Sequence, residues 1–178
     1  MFLVVFVRVR PTCLFNHLVL NHHFAWFSAQ LLLVVFAYLW LNSHMQTEFN
    51  TIAIIGKFMR ESAVQLMRKD LVDLAQHLKA KNIDVLFESN TADHAKIEGF
   101  KTMPLDALGQ KADLVIVMGG DGTMLSAARA LKNSDIPLVG INRGHFGFLT
   151  DLRAEEMLQS IDAILAGEHQ TESRMILN

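Results

Sequence analysis

The chain has 178 residues, of which 51% are hydrophobic, with 16 basic against 18 acidic side chains and a net charge of −2. That length suits one α/β domain with a sizeable core, and the slightly acidic balance excludes a broad basic face for nucleic acid or anionic lipid. Cys13 is the only cysteine, which rules out an internal disulfide and a multi-cysteine metal site and agrees with a reducing, cytoplasmic setting.

Residues 1–44 differ from the rest. They carry Arg8 and Arg10 and no acid, so they are at +2 while the remainder is at −4. Phe24 to Leu41 is broken only by Ser28 and Gln30, close to the roughly 20 residues that cross a bilayer. Two readings follow. In one, 24–41 is a membrane anchor; Arg8 and Arg10 before it would then put the acidic domain on the side opposite the cytoplasm. In the other, which we prefer, Met45 is the true start and the upstream residues belong to an extended reading frame, because Met45-Gln46-Thr47-Glu48-Phe49-Asn50 runs straight into a first strand. No small-residue cleavage site follows the apolar run. His17, His22, His23 and His44 lack an acidic partner in this tail, so no metal site is expected there.

From Thr51 the chain alternates strands and helices. Ile52 to Ile55 before Gly56 predicts a buried strand. Val64, Met67, Leu71, Leu74 and Leu78 recur at spacings of three and four, the stripe of an amphipathic helix ending near Lys81-Asn82. Asp84 to Glu88 predicts a second strand, and 89–112 shows little beyond a helical turn after Pro104. Leu114 to Met118, after Asp113, is apolar without alternation, as in a strand covered on both faces of a parallel sheet. A helix follows at Met124 to Leu131, a fourth strand at Ile136 to Ile141, and a last helix at Ala154 to Ala166, with Gly167 as its stop. The fold expected is α/β, an open, mostly parallel sheet with helices on both faces.

The most informative residues are Gly119-Gly120-Asp121-Gly122-Thr123 at the exit of the buried strand. Ligands of parallel sheets gather beyond the strands' carboxyl ends. Glycines there allow positive φ and close approach of backbone to phosphate or ribose, and successive N–H groups can hold an anion. Asp121 is the one ionisable group in the turn. The plainer alternative is a strand-to-helix turn in which Asp121 or Thr123 caps the helix. Lys57, Arg60 and Arg143 follow strand ends, so each could bind a phosphate oxygen or simply be a solvated charge. Met118, Met124 and Leu125 are read as core, and Arg68-Lys69 as part of a polar helix face.

Gly-Gly-Asp-Gly-Thr is shared by NAD kinases and diacylglycerol-type lipid kinases and, in a close variant, by phosphofructokinases. Gly140-Ile141-Asn142-Arg143-Gly144-His145-Phe146-Gly147-Phe148-Leu149 resembles a second block of bacterial NAD kinases, usually Gly-x-Asn-x-Gly-x-Leu-Gly-Phe-Leu, with Phe146 in place of Leu. The similarity to NAD kinases runs from about Thr51 to the chain's end. It implies phosphorylation of the 2′-hydroxyl of NAD's adenosine ribose by ATP or polyphosphate, giving NADP. It further implies Mg2+ held mainly by the donor's phosphates, homo-oligomers formed by a longer chain, and three parts to this one: the apolar extension (1–44), a nucleotide-binding domain (45–170) and the start of a β-rich domain (171–178), whose severed first strand would be Ser173 to Leu177, with an unpaired edge. By the same resemblance Asp121 is the proton acceptor; Gly119, Gly120, Gly122 and Thr123 join it around the substrate, and Asn142, Gly144 and Phe148 form the dinucleotide's wall. Bottom-up, Phe146 and Phe148 could equally be aromatics tucked into the core. Two other functions stay open: a membrane-associated lipid kinase, which the Asn142 to Leu149 block speaks against, and an inactive fragment that packs on a full-length partner or binds nucleotide weakly.

Overall fold

The computed structural model describes residues 2–9, 48–56, 61–143, 147–150 and 152–176. In chain order the strands are β1 (Phe2–Val9), β2 (Thr51–Gly56), β3 (Asp84–Glu88), β4 (Lys101–Met103), β5 (Leu114–Met118), β6 (Leu138–Asn142), β7 (Leu152–Arg153) and β8 (His169–Ile176). The helices are α1 (Glu61–Ala80), α2 (Ser89–Ala95), α3 (Leu105–Leu108), α4 (Asp121–Ala130) and α5 (Met157–Leu165), the last entered through a 3-10 turn at Ala154–Glu156.

The strands form a single sheet in the order β4-β3-β2-β5-β6-β1-β8, with β7 also on β6. Every pairing is parallel except β1 with β8. The sheet grows from β2 outward, to β3 and β4 on one side and to β5 and β6 on the other. The order therefore reverses between β2 and β5, where open α/β sheets form their ligand crevice.

Continuous apolar strands are explained by two cores. Ile52, Ile54, Phe87, Ile116, Met118 and Ile141 pack on one face with Leu71, Leu74 and Leu78 of α1 and Ile161 and Ile164 of α5. The intervening Ala53, Ile55, Leu86, Val115, Val117 and Leu138 face the other way, against Met124, Ala127 and Ala128 of α4 and Leu108 of α3. Each fully buried aliphatic or aromatic side chain contributes about 1.5–3 kcal/mol, so period-2 side chains from these four strands hold helices on both faces. Met118 and Met124 are core as expected, and Leu125 is half-buried.

Helix α1 ends in a Schellman turn: Asn82 takes φ 61°, and Ile83 N–H bonds the Leu78 carbonyl at 3.2 Å. His77 Nε2 and Lys81 Nζ, from its last turn and just beyond, lie 2.6 and 3.1 Å from Oδ1 of Asp162, tying α1 to α5. Burial raises the Asp162 pKa, but the His77 and Lys81 hydrogen bonds and charges outweigh it and hold the carboxyl below its ordinary value.

Four elements were not foreseen, among them the two-residue β7 on β6. Helix α2 and strand β4 occupy the stretch that shows little periodicity. Strand β1 joins the sheet from the apolar amino end, pairing Phe6 with Leu138 and running antiparallel to β8 from Phe2↔Ile176 to Val9↔His169. The strand expected at Ser173 to Leu177 thus begins earlier, at His169, and has β1 on one edge. The candidate span 24–41 and Met45 lie outside the described residues. Among the described residues no helix is long and apolar enough to cross a membrane.

Candidate functional site

The site begins where β5 ends. Gly119 N–H still belongs to the sheet, bonding the Ile141 carbonyl at 2.9 Å. Gly120 is the residue before α4, at φ −101° and ψ −175°, and its carbonyl accepts Thr123 N–H at 2.9 Å and Met124 N–H at 3.1 Å. The groups left to meet an anion are the N–H groups of Gly120, Asp121 and Gly122, at the positive end of the helix dipole. The expected use of glycine is corrected in one respect. The positive-φ glycines described are Gly99 and Gly167, so the turn does not need the left-handed region. What glycine supplies is room, since a Cβ on Gly120 or Gly122 would have nothing within 4 Å.

That room opens onto a cleft of about 360 Å3 at the sheet's reversal point. Gly56 from β2, Glu88 and Asn90 from the β3 end, and Gly120, Gly122 and Thr123 from the glycine turn line it. Ile55, Leu105 and Ala127 add an apolar wall, and such walls with a few convergent polar groups suit a flat ring carrying polar substituents.

Asp121 is the first residue of α4, three residues earlier than the helix was expected to start. Its side chain caps nothing, which sets aside the plainer reading. Instead Oδ2 accepts Phe148 N–H at 2.8 Å, and Oδ1 accepts Leu149 N–H at 3.0 Å and the Thr150 hydroxyl at 3.3 Å. Burial pushes the Asp121 pKa up, but bonds from the Phe148, Leu149 and Thr150 backbone and the Thr150 hydroxyl outweigh it and hold it below the ordinary aspartate value. A carboxylate offers about four lone-pair sites. Among the described residues Phe148 N–H is the one hydrogen bond of good geometry to Oδ2, which leaves that oxygen an acceptor direction.

Glycine is required for this grip at two places. A Cβ on Gly147 would stand 2.0 Å from Asp121 Oδ1, and one on Gly140 would stand 2.9 Å from the Thr150 Cα. Gly140 and Gly147 thus let the loop close over the carboxylate, and sequence reasoning gave neither a role. Three structural polar residues were missed as well. Asp113 Oδ2 accepts Asn50 N–H and Thr51 N–H, both at 2.8 Å, starting β2 in register. Glu88 and Thr91, both buried, face the cleft end of β2.

Of the expected site residues, Gly119, Gly120, Asp121, Gly122 and Thr123 come together on the turn, with Gly120, Gly122 and Thr123 lining the cleft. Asp121 sits between them with its carboxylate turned to the 147–150 loop. Phe148, on that loop, is 89% exposed, so it is not tucked into the core. Asn142 is buried at the end of β6. Arg143 turns to α1, where its Nε lies 2.5 Å from Asp70 Oδ2 in a largely buried ion pair whose N–H is not aligned for a hydrogen bond. Its link to a phosphate therefore needs a nitrogen not held by Asp70. Lys57, Arg60, Gly144 and Phe146 lie outside the described residues.

A family model described as ATP-NAD kinase N-terminal domain matches residues 52–169. A curated NAD kinase of Nitrosospira multiformis is 44% identical over 133 residues, covering 75% of this chain and 44% of that protein. One of Aromatoleum aromaticum is 38% identical over 141 residues, covering 79% and 46%. The chain thus spans less than half the length of these relatives. Among solved structures, yeast NADH kinase complexed with NADH aligns with a TM-score of 0.58 at 19% identity, over 69% of this chain and 40% of that one, and so shares the fold.

Proposed function

Because the chain belongs to the NAD kinase family through its match over residues 52–169, we propose that it forms the nucleotide-binding part of an enzyme that transfers a phosphoryl group from ATP or polyphosphate to NAD's adenosine ribose 2′-hydroxyl. The product is NADP. One observation carries this reading: the Asp121 carboxylate is fixed at the sheet's reversal point, with an open glycine turn on one side and the exposed Phe148 on the other.

The arrangement suggests a division of labour. The donor's phosphates meet the Gly120, Asp121 and Gly122 N–H groups in the cleft, and the acceptor dinucleotide lies against Phe148 and the Asn142 side. The acceptor hydroxyl then reaches the unspent direction of Oδ2. Held below the ordinary pKa, Asp121 is fully ionised at neutral pH, so it orients the hydroxyl first and takes its proton as the bond to phosphorus forms. Most of the acceleration comes from positioning and charge neutralisation. A divalent cation such as Mg2+ would be carried by the donor's phosphates, neutralising their charge. Among the described residues the cleft lining contributes a carboxylate, Glu88, and no cationic side chain.

The test is NADP formation from NAD and ATP by the product of the full reading frame, alongside ATP and NAD binding by residues 1–178. NADP formation supports the proposal. Phosphate incorporation into diacylglycerol but not NAD would replace it with the lipid-kinase reading, and absence of nucleotide binding would end it.

A further inference from the structure

The wall of the cleft opposite the glycine turn is built by a chain of hydrogen bonds that the reaction as described does not use. Strand β2 is paired with β3 through Ile54↔Phe87, two residues short of the end of β2. At Gly56, the last residue of β2, no β3 residue remains to continue the ladder, and a side chain substitutes for it. Gly56 N–H donates to the Thr91 hydroxyl at 3.0 Å. That hydroxyl has one proton and two acceptors in reach, the Gly56 carbonyl at 3.5 Å and Glu88 Oε2 at 2.6 Å. The short bond to a carboxylate is much the stronger, so the proton goes to Glu88 and an oxygen lone pair is left facing Gly56 N–H. Glu88 is itself fixed by the start of α2, accepting Asn90 N–H at 3.0 Å and Thr91 N–H at 2.6 Å. Contact is also tight: a Cβ on Gly56 would stand 3.0 Å from Thr91 Cγ2.

We propose that Glu88 is a positioning residue for the donor nucleotide, setting through Thr91 the place of Gly56 and hence the width of the cleft between the β2 end and the Gly120–Thr123 turn. The inference rests on the reading of that cleft as the donor site. A carboxylate is needed because only an all-acceptor group can receive two backbone N–H groups and a hydroxyl together; an amide presents a donor to one of them. A buried acid among prospective phosphate contacts would otherwise be an electrostatic cost. Here its charge is spent on three donors of its own chain.

The experiment is calorimetric titration of residues 1–178 with ATP and, separately, with NAD, using Glu88→Gln, Thr91→Val and Thr91→Ser. Affinity is read apart from the folded fraction, because unfolded molecules lower the stoichiometry and leave Kd unchanged. Glu88→Gln and Thr91→Val are expected to weaken ATP about tenfold, with NAD affinity within about twofold. Thr91→Ser, which keeps the hydroxyl, stays close to the wild-type chain. Unchanged ATP affinity in Glu88→Gln and Thr91→Val overturns the inference, as does equal weakening of ATP and NAD, or Thr91→Ser behaving like Thr91→Val. A wild-type chain that binds NAD but not ATP overturns the assignment of the cleft itself, and the inference with it.

Discussion

Gly147→Ala probes the contact on which the site is built. Its Cβ would stand 2.0 Å from Asp121 Oδ1, 2.6 Å from Asp121 Cγ and 2.8 Å from the Thr150 hydroxyl oxygen. Carbon in ordinary contact needs about 3.5 Å, so the loop or the carboxylate must move by roughly 1.5 Å. Neither moves cheaply. The carboxylate is held by Phe148 N–H, Leu149 N–H and the Thr150 hydroxyl, and hydrogen bonds to a charged group contribute about 1.5–3 kcal/mol each. The loop is pressed against β6 where Gly140 lacks a Cβ. Overpacking of this kind costs about 1–3 kcal/mol, which in a chain of this size lowers the melting temperature by about 2–12 °C. A shift of an ångström at the reacting group costs about 100-fold in turnover. Thermal unfolding followed by circular dichroism reads the first effect, and NADP formation by the full reading frame reads the second. A variant with unchanged melting temperature and turnover would refute the argument that the loop grips Asp121.

Gly122→Ala is the converse case: its Cβ meets nothing within 4 Å, so stability should hold within about 0.5 kcal/mol by thermal unfolding, while ATP titration shows weaker binding as the methyl enters the cleft. Asp70→Ala leaves Arg143 largely buried without its partner and should lower unfolding free energy by about 3–5 kcal/mol in a denaturant titration. Asp121 and Asp162 both titrate below the ordinary value when folded. Their stabilisation is therefore complete above the unfolded value near about 3.9 and drains away as pH falls through the folded values. The melting temperature should fall as pH is lowered below about 4, and Asp162→Asn should flatten part of that slope.

How much of this could be read from the residues alone depends on the range of each interaction. Strands β2, β3, β5 and β6 are legible because both faces are covered, leaving Ile52 to Ile55 and Leu114 to Met118 apolar throughout. Helix α1 is legible from Met67, Leu71, Leu74 and Leu78. Helix α2 escapes notice because it is seven residues long, starts at Ser89 after a Glu N-cap and stops at Lys96 in the left-handed region, where Gly or Asn would have marked the end. Strand β4 is a half-exposed Lys-Thr-Met at the sheet edge. The polar His169 to Arg174 shows no strand pattern because β8 is mostly exposed and is held by its pairing with β1.

In the site, the glycine turn and its place after β5 were visible as spacing. The partners of Asp121 were not, since they lie 27 to 29 residues away and mostly use backbone N–H groups, which every residue has. Arg143 looked like a phosphate ligand because its loop follows a strand, and nothing nearby in the sequence announces Asp70, 73 residues earlier on α1. The Glu88–Thr91–Gly56 chain has a local half, the cap over three residues, and a distant half that only the β2–β3 pairing creates.

The account turns on the Asp121 carboxylate as proton acceptor, and Asp121→Asn in the full reading frame, assayed for NADP formation at saturating NAD and ATP, addresses it directly. Removing a general base costs about 100- to 10,000-fold, so turnover should fall by at least about 100-fold while the variant still binds ATP. Turnover within a few-fold of the unsubstituted enzyme would show that the hydroxyl loses its proton elsewhere.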